Sequence, residues 1–283
     1  MSRFGLLYYK SMLRRWGIPA GRFLLVTIAV IGLTSWTIDA TDSLQGSQTA
    51  LSMLAGKWLS DECAAQTVPV LVAGTTWCVD QFPASVGDSC PQPEPRAPLQ
   101  TTDNVASATC VPVSQPDARP WTHVAQHQAV QLCARAGKEL LPGEVWYRAA
   151  LGTPSRECQT HDSAAGSVRV SSCVSGAGAY AMVGTVWEYV AEIAEGREVA
   201  GHTLPETGYV QAVTAAGWPS ASASTTSDLF SGDYVWTHAS GTAALMRGGF
   251  YGSRDDAGVY TVHAAIAPTF TSGATGFRCG YRQ

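Results

Sequence analysis

"LMRGGFYGSRDDAGVYTVHAA", residues 245–265, is the stretch on which the fold turns. Gly248 and Gly249 stand side by side behind Arg247, where the backbone can come close to a neighbour or take a positive φ that a side chain would forbid. "SRDDAG" reads as a polar turn. Adjacent Asp255 and Asp256 point apart in such a turn, so they are not expected to work as paired carboxylates. The stretch contains no cysteine, and none lies between Cys173 and Cys279.

Working outward, "THVAQHQAVQLCARAGKEL" (122–140) predicts a helix, with apolar Val124, Ala129, Val130, Leu132 and Cys133 on one side and Gly137 to end it. "PGEVWYRAALG" (142–152) predicts a second. "VPVLVAGTTWCVDQFPAS" (68–85) alternates enough for a strand pair, "CPQPEPRAPLQTTDN" (90–104) reads as a proline-rich loop, and "SASASTTS" (220–227) as a flexible polar segment. Charged residues are only 14% of the chain, below the usual quarter. Gly, Ala, Ser and Thr fill the gap. The expectation is a loop-rich α+β domain.

The eight cysteines, Cys63, Cys78, Cys90, Cys110, Cys133, Cys158, Cys173 and Cys279, all follow residue 40. An even count outside the cytoplasm reads as a disulfide set. A zinc cluster is the alternative, but no Cys-x-x-Cys pair exists. His123 and His127 have i,i+4 spacing on the predicted helix, yet "HVAQH" lacks the glutamate of a metalloprotease motif and reads as a solvated or capping pair. There is no Gly-x-Ser-x-Gly elbow and no phosphate-binding Gly-x-x-x-x-Gly-Lys loop.

The N-terminus is different in character. Residues 1–22 are basic and free of acids, and "FLLVTIAVIGLTSWTI" follows. Phe23 to Ile38 span about 24 Å as a helix, and Ile18 to Gly21 complete a transmembrane segment over 18–39, with Arg22 reaching toward the headgroups. The positive-inside rule leaves residues 1–22 as a cytoplasmic tail and everything after residue 40 outside. A cleaved signal peptide is the alternative, set against an unusually long basic segment. Residues 40–65 read as an amphipathic linker helix and 66–283 as the main domain. Beyond residue 23, 13 basic residues meet 22 acidic ones, a balance of −9 that argues against nucleic acid as a partner. Arginine outnumbers lysine fifteen to three, which suits a bacterial periplasm. The expected place is therefore the inner membrane, single-pass, with the domain periplasmic.

Four ordered stretches resemble the formylglycine-generating (sulfatase-modifying) enzyme family. "RPWTHVAQHQAVQLCARAGKELLPGEVWYRAALG" keeps Ala129, Cys133, Gly137, Lys138, Leu140, Trp146, Ala149, Ala150 and Gly152. "GAYAMVGTVWEYVAE" (178–192), "RGGFY" (247–251) and an intact "GFRC" (276–279) follow in order. The resemblance runs from about Val68 to Gln283 and implies a C-type-lectin-like architecture. It also implies a disulfide between Cys133 and Cys279, with Cys158 and Cys173 as a local staple. Cys63, Cys78, Cys90 and Cys110 then pair among themselves in an open order.

In the catalytic members two cysteines after the Arg-Gly-Gly signature bind copper, and soft thiolates suit Cu(I). Here those positions are Ser253 and Gly258, so neither copper nor the oxidase activity is expected. The same resemblance offers Thr185, Glu188 and Glu192 as calcium candidates, with Thr185 and Glu192 departing from the family's asparagine and aspartate.

The function expected is a non-enzymatic, membrane-anchored accessory or scaffold subunit. It would meet membrane proteins of a larger complex, respiratory or photosynthetic, through its transmembrane helix and main domain, and the lipid bilayer itself. One alternative is an enzyme of altered chemistry, its vestigial pocket lined by Arg247, Ser253, Arg254, Asp255 and His263. Another is a small-ligand or carbohydrate receptor using tryptophans such as Trp218 and Trp236.

Overall fold

The computed structural model describes residues 63–158 and 173–283, and its first element is a hairpin. β1 (Thr67–Val72) and β2 (Thr75–Asp80) pair antiparallel across Ala73 and Gly74, whose φ values of 48° and 80° suit a two-residue turn. Val68, Val70 and Val72 face inward while Leu71 is 58% exposed, so the period-2 reading of this segment holds. β3 (Ala84–Val86) follows, then α1 (Pro98–Ala106) and β4 (Pro112–Ser114), which pairs with β3.

α1 corrects the reading of 90–104 as loop throughout. Pro98 stands in the first turn, where its missing N–H costs nothing and its fixed φ already suits a helix. α2 (Gln126–Arg135) ends as expected at Gly137, φ 70°. Gly137 N–H donates to Ala134 O and Lys138 N–H to Cys133 O, a Schellman closure. β5 (Glu139–Leu140), α3 (Gly143–Ala150) and the single turn α4 (Ser155–Cys158) come next.

The rest is mostly strand. In chain order these are β6 (Trp187–Glu195), β7 (Glu198–Val199), β8 (His202–Thr203), β9 (Gly208–Val213), β10 (Pro219–Ala223), β11 (Tyr234–Thr237), β12 (Thr242–Arg247), β13 (Val262–Ile266), β14 (Thr275–Phe277) and β15 (Cys279–Arg282). One sheet runs β10-β9-β11-β13-β12-β6-β7-β8, with β14 beside β6; a second runs β1-β2-β15-β5. The β11/β13 and β14/β6 pairs are parallel.

β10 corrects the reading of 220–227 as flexible. Its small polar side chains carry no apolar alternation, but its backbone pairs with β9 at the edge of the sheet.

Both faces of the long sheet are covered. On β12, Ala243 and Leu245 join a core with β1, Val145, Trp146 and Tyr147, while Ala244 and Met246 join a second core with Trp121, Leu132, Tyr189 and Phe277. Four disulfides staple the layers. Cys133–Cys279 and Cys158–Cys173 match the pairings the resemblance implied, and Cys63–Cys78 and Cys90–Cys110 fill the open ones. In the chain-entropy model the 146-residue separation of Cys133 and Cys279 makes that bridge worth about 5 kcal/mol.

The stretches read as a cytoplasmic tail (1–22), a transmembrane segment (18–39) and most of that read as a linker helix (40–65) lie outside the described residues. Cys63 to Ala65, its last three residues, are not helical, and lead by a turn into β1. Among the described residues no helix is long and apolar enough to cross a membrane. His123 is a further correction. It precedes α2 in a left-handed conformation, φ 57°, so it shares no helix face with His127.

Candidate functional site

The motif residues meet, but as struts. Trp146 Nε1 donates to Glu188 Oε2 at 2.7 Å. Arg278 grips the same carboxylate twice, Nε to Oε2 at 3.1 Å and Nη2 to Oε1 at 2.8 Å. It also donates to the carbonyls of Asp80 (2.9 Å) and Tyr180 (2.8 Å). Trp146, Glu188 and Arg278 are all fully buried. Gly248, φ 88°, lies so close that a Cβ there would stand 2.3 Å from Met182 O.

These contacts bear directly on calcium. Both oxygens of Glu188 face a guanidinium, and one also takes the indole. Both oxygens of Glu192 accept the Gly143 N–H at the start of α3, at 3.0 and 2.8 Å. That is where a helix favours negative charge. Thr185 lines a surface cleft instead. The three do not converge as calcium ligands, and a carboxylate already neutralised by arginine does not fit a cation.

The five residues grouped as a vestigial pocket do not converge either: Arg247, His263 and the turn holding Ser253, Arg254 and Asp255 lie in three places. Arg247 points into the first core, fully buried, its guanidinium 4.5 Å from the Trp218 ring centroid and about 6 Å from those of Trp146 and Tyr147. Nη2 donates to Gly217 O at 2.8 Å, while Nε and Nη1 have no acceptor among the described residues. Burial lowers its pKa to about 10, partly offset by Glu192, so it stays charged at neutral pH.

His263 lies on the opposite face of the sheet, stacked on Trp236 and edge-on to Trp187. Burial, with His238 adding to it, pushes its pKa down to about 4. Ser253 closes the surface turn: its hydroxyl accepts from Phe250 N–H at 3.0 Å, and Arg254 and Asp255 follow it, both exposed. Trp218 is buried and Trp236 half-buried.

Gly258 has a specific reason to be glycine. A Cβ there would lie 1.8 Å from Asp233 Oδ1. Asp233 is fully buried, and its Oδ2 accepts Tyr260 N–H at 2.6 Å. A short, hydrogen-bonded carboxyl group has little room to yield. Gly258→Ala is therefore expected to lower unfolding free energy by about 2–3 kcal/mol, the upper part of the range of about 1–3 kcal/mol for overpacking a tight core. Urea unfolding of the intact, oxidised chain checks this. A loss under about 0.5 kcal/mol, the scale of an ordinary surface change, would mean that the carboxylate swings aside.

A cleft opens on the surface near Tyr251. Its larger lobe, about 190 Å³, lies between the Pro93–Arg96 segment and the Arg119–His123 segment. A smaller lobe of about 50 Å³ continues past Tyr251 toward Thr185 and Val186. Arg96 Nη2 meets Glu94 Oε2 at 3.0 Å. Hydrogen bonding to Arg96 and the field of Arg119 hold the Glu94 carboxyl below its usual range. His123 packs against Gly273, and burial keeps its pKa low and the ring neutral.

The walls are fixed. Cys90–Cys110 and a reciprocal pair between Gln92 and the buried Asn104 (2.7 and 2.8 Å) anchor one segment. Trp121 N–H to Ala84 O (2.7 Å), and Thr101 Oγ1 bridging Trp121 Nε1 and Thr122 O, anchor the other. Sequence reading had taken Arg96 for part of a loop and passed over Arg119. Two arginines in proline-containing segments, Pro95-Arg96 and Arg119-Pro120, were the signal available.

No family model matches this chain, and no curated protein does. Among solved structures it is similar to the Major Tropism Determinant P3c variant, at 12% identity over 77% of this chain and 55% of that one, with a TM-score of 0.44. It is also similar to the I1 variant, at 15% identity over 76% and 55%, with a TM-score of 0.43. The chain spans about half the length of these structures.

Proposed function

We propose that the chain is a non-catalytic, lectin-like recognition or scaffold domain, held at the outer face of the inner membrane by its N-terminal segment as an accessory subunit of a membrane complex. The observation that carries this reading is the commitment of every cysteine to a disulfide. With position 258 closed to any side chain by Asp233, the thiolate pair of the resembled oxidases has neither ligands nor room. Disulfides are at home in an oxidising compartment, which agrees with an extracytoplasmic domain. Pinned loops on a rigid base are where binding commonly resides.

The test is gentle detergent extraction from native membranes, followed by sizing and mass spectrometry of what travels with the chain. Co-migration with membrane proteins in fixed stoichiometry is the expected result. A chain that leaves the membrane with salt alone, or migrates as a lone monomer, overturns it.

A further inference from the structure

The cleft beside Tyr251 already contains an acid group, and that group belongs to the chain itself. Glu94 places its carboxylate on Arg96 and within the field of Arg119. Arg119 makes no hydrogen bond or ion pair among the described residues, so the cleft has one more positive charge than its own glutamate balances. The Glu94–Arg96 pair is loosely held: the two side chains are 56% and 74% exposed. An ion pair in that setting is weak, and a competing acid displaces it easily. The backbone beneath is not loose, because Asn104, Trp121 and the Cys90–Cys110 bridge fix both walls. The arginines therefore project from a prearranged frame, which reduces the ordering cost of binding.

We propose that this cleft binds a small carboxylate ligand, whose acid group takes the place Glu94 now holds between Arg96 and Arg119. Arginine suits the task because its planar fork matches a carboxylate with two parallel hydrogen bonds. Behind that anchor, Pro93, Pro95 and Pro120 offer apolar surface, and Thr122 and the neutral His123 offer polar tips. That combination fits a compact, hydroxyl-bearing acid such as a uronic acid better than a bare inorganic anion. A lobe of about 190 Å³ admits something of single-sugar size and excludes a folded partner. The proposal rests on the cleft alone, and stands whether or not the chain travels with membrane proteins.

Isothermal titration of the intact, oxidised chain tests it with sodium D-glucuronate, D-glucose, sodium acetate and inorganic phosphate as probes at matched ionic strength. Glucuronate is expected to bind and glucose not to. Arg119→Gln should weaken glucuronate by about tenfold or more, the scale of a charged hydrogen-bonded pair. Glu94→Gln should tighten it by about two- to fourfold, because the internal competitor is gone and an exposed pair is worth little. Acetate binding as tightly as glucuronate would keep the carboxylate site and assign it to simple organic acids. Phosphate binding tightest, glucose binding as well as glucuronate, or unchanged affinity in Arg119→Gln would each overturn the assignment. So would an absence of acid binding in Glu94→Gln, where the cleft has no acid of its own.

Discussion

Arg278→Leu should lower the unfolding free energy of the intact, oxidised chain by about 3–5 kcal/mol, the usual result of removing one partner from a buried ion pair. The reason is local. Arg278 and Glu188 have no exposed side-chain surface, so the variant leaves a carboxylate in the core with only the Trp146 indole to answer it. It also strips a donor from the carbonyls of Asp80 and Tyr180, which joins the end of β2 and the loop before β6 to the C-terminal strands.

A second variant separates the charge from the packing. In Arg278→Leu/Glu188→Leu both ions are gone, and apolar replacement of a whole buried pair is often close to neutral. The two orphaned carbonyls remain and the buried Trp146 indole loses its acceptor, so recovery is expected to be partial, about 1 kcal/mol above the single variant. Urea unfolding of both proteins reads the difference. A single variant within about 0.5 kcal/mol of the parent, below what measured core changes usually give, would mean that water reaches Glu188. A double variant no better than the single would mean that the carbonyl contacts, rather than the charge, carry the effect.

The same residues show what the sequence could tell and where it fell silent. Trp146, Gly137, Gly248 and "GFRC" stood out because each has a chemical reason to be irreplaceable: a bulky ring, a positive φ, a disulfide. Their helices and the β1–β2 hairpin were legible from apolar spacing. β10 was not, since Ser and Ala alternate without contrast and only the neighbouring β9 makes them a strand. α1 was hidden by its own proline, which reads as a breaker until its place in the first turn is known.

The cleft was hidden for a different reason. Arg96 and Arg119 become neighbours only through the β3–β4 pairing and the Trp121–Ala84 bond, contacts that no local pattern announces. Arg247 and His263 looked like companions because they lie sixteen residues apart around one motif. Strand alternation sends their side chains to opposite faces of the sheet. Asp233 sits in "SGDYV", which is indistinguishable from a surface turn. Only the Gly258 backbone closing over it makes it a core residue.

That burial gives Asp233 a large expected pH effect. Its pKa is pushed up to about 8, chiefly by burial, with the nearby Asp256 adding to it and the N–H groups of Tyr260 and Thr261 opposing it. In the unfolded chain the group returns to its ordinary value of 3.8. Between those values the folded state holds a proton that the unfolded state releases. Stability from this group is therefore full below about pH 4, falls by about 1.4 kcal/mol per pH unit, and is gone above about pH 8.

His263 has the opposite sign. Its folded pKa of about 4 lies below the ordinary value of 6.5, so its contribution is present above pH 6.5 and lost as pH falls toward 4. Between pH 4 and 6.5 the two slopes oppose each other, with Asp80, Glu192 and Asp256, also raised by burial, sloping with Asp233, and His123, lowered by burial, sloping with His263; the difference between parent and Asp233→Asn isolates Asp233. Asp233→Asn keeps the shape and removes the proton. Relative to the variant, the parent should lose stability steadily from pH 4 to 8, and removing the Asp233 slope leaves the His263 limb more visible between pH 4 and 6.5. Urea midpoints at half-unit steps from pH 4 to 9 resolve both limbs. Parallel profiles for the two proteins would mean that Asp233 is ionised throughout, its charge met by hydrogen bonds strong enough to cancel burial. Diverging ones would place a protonated carboxyl against Gly258 at neutral pH.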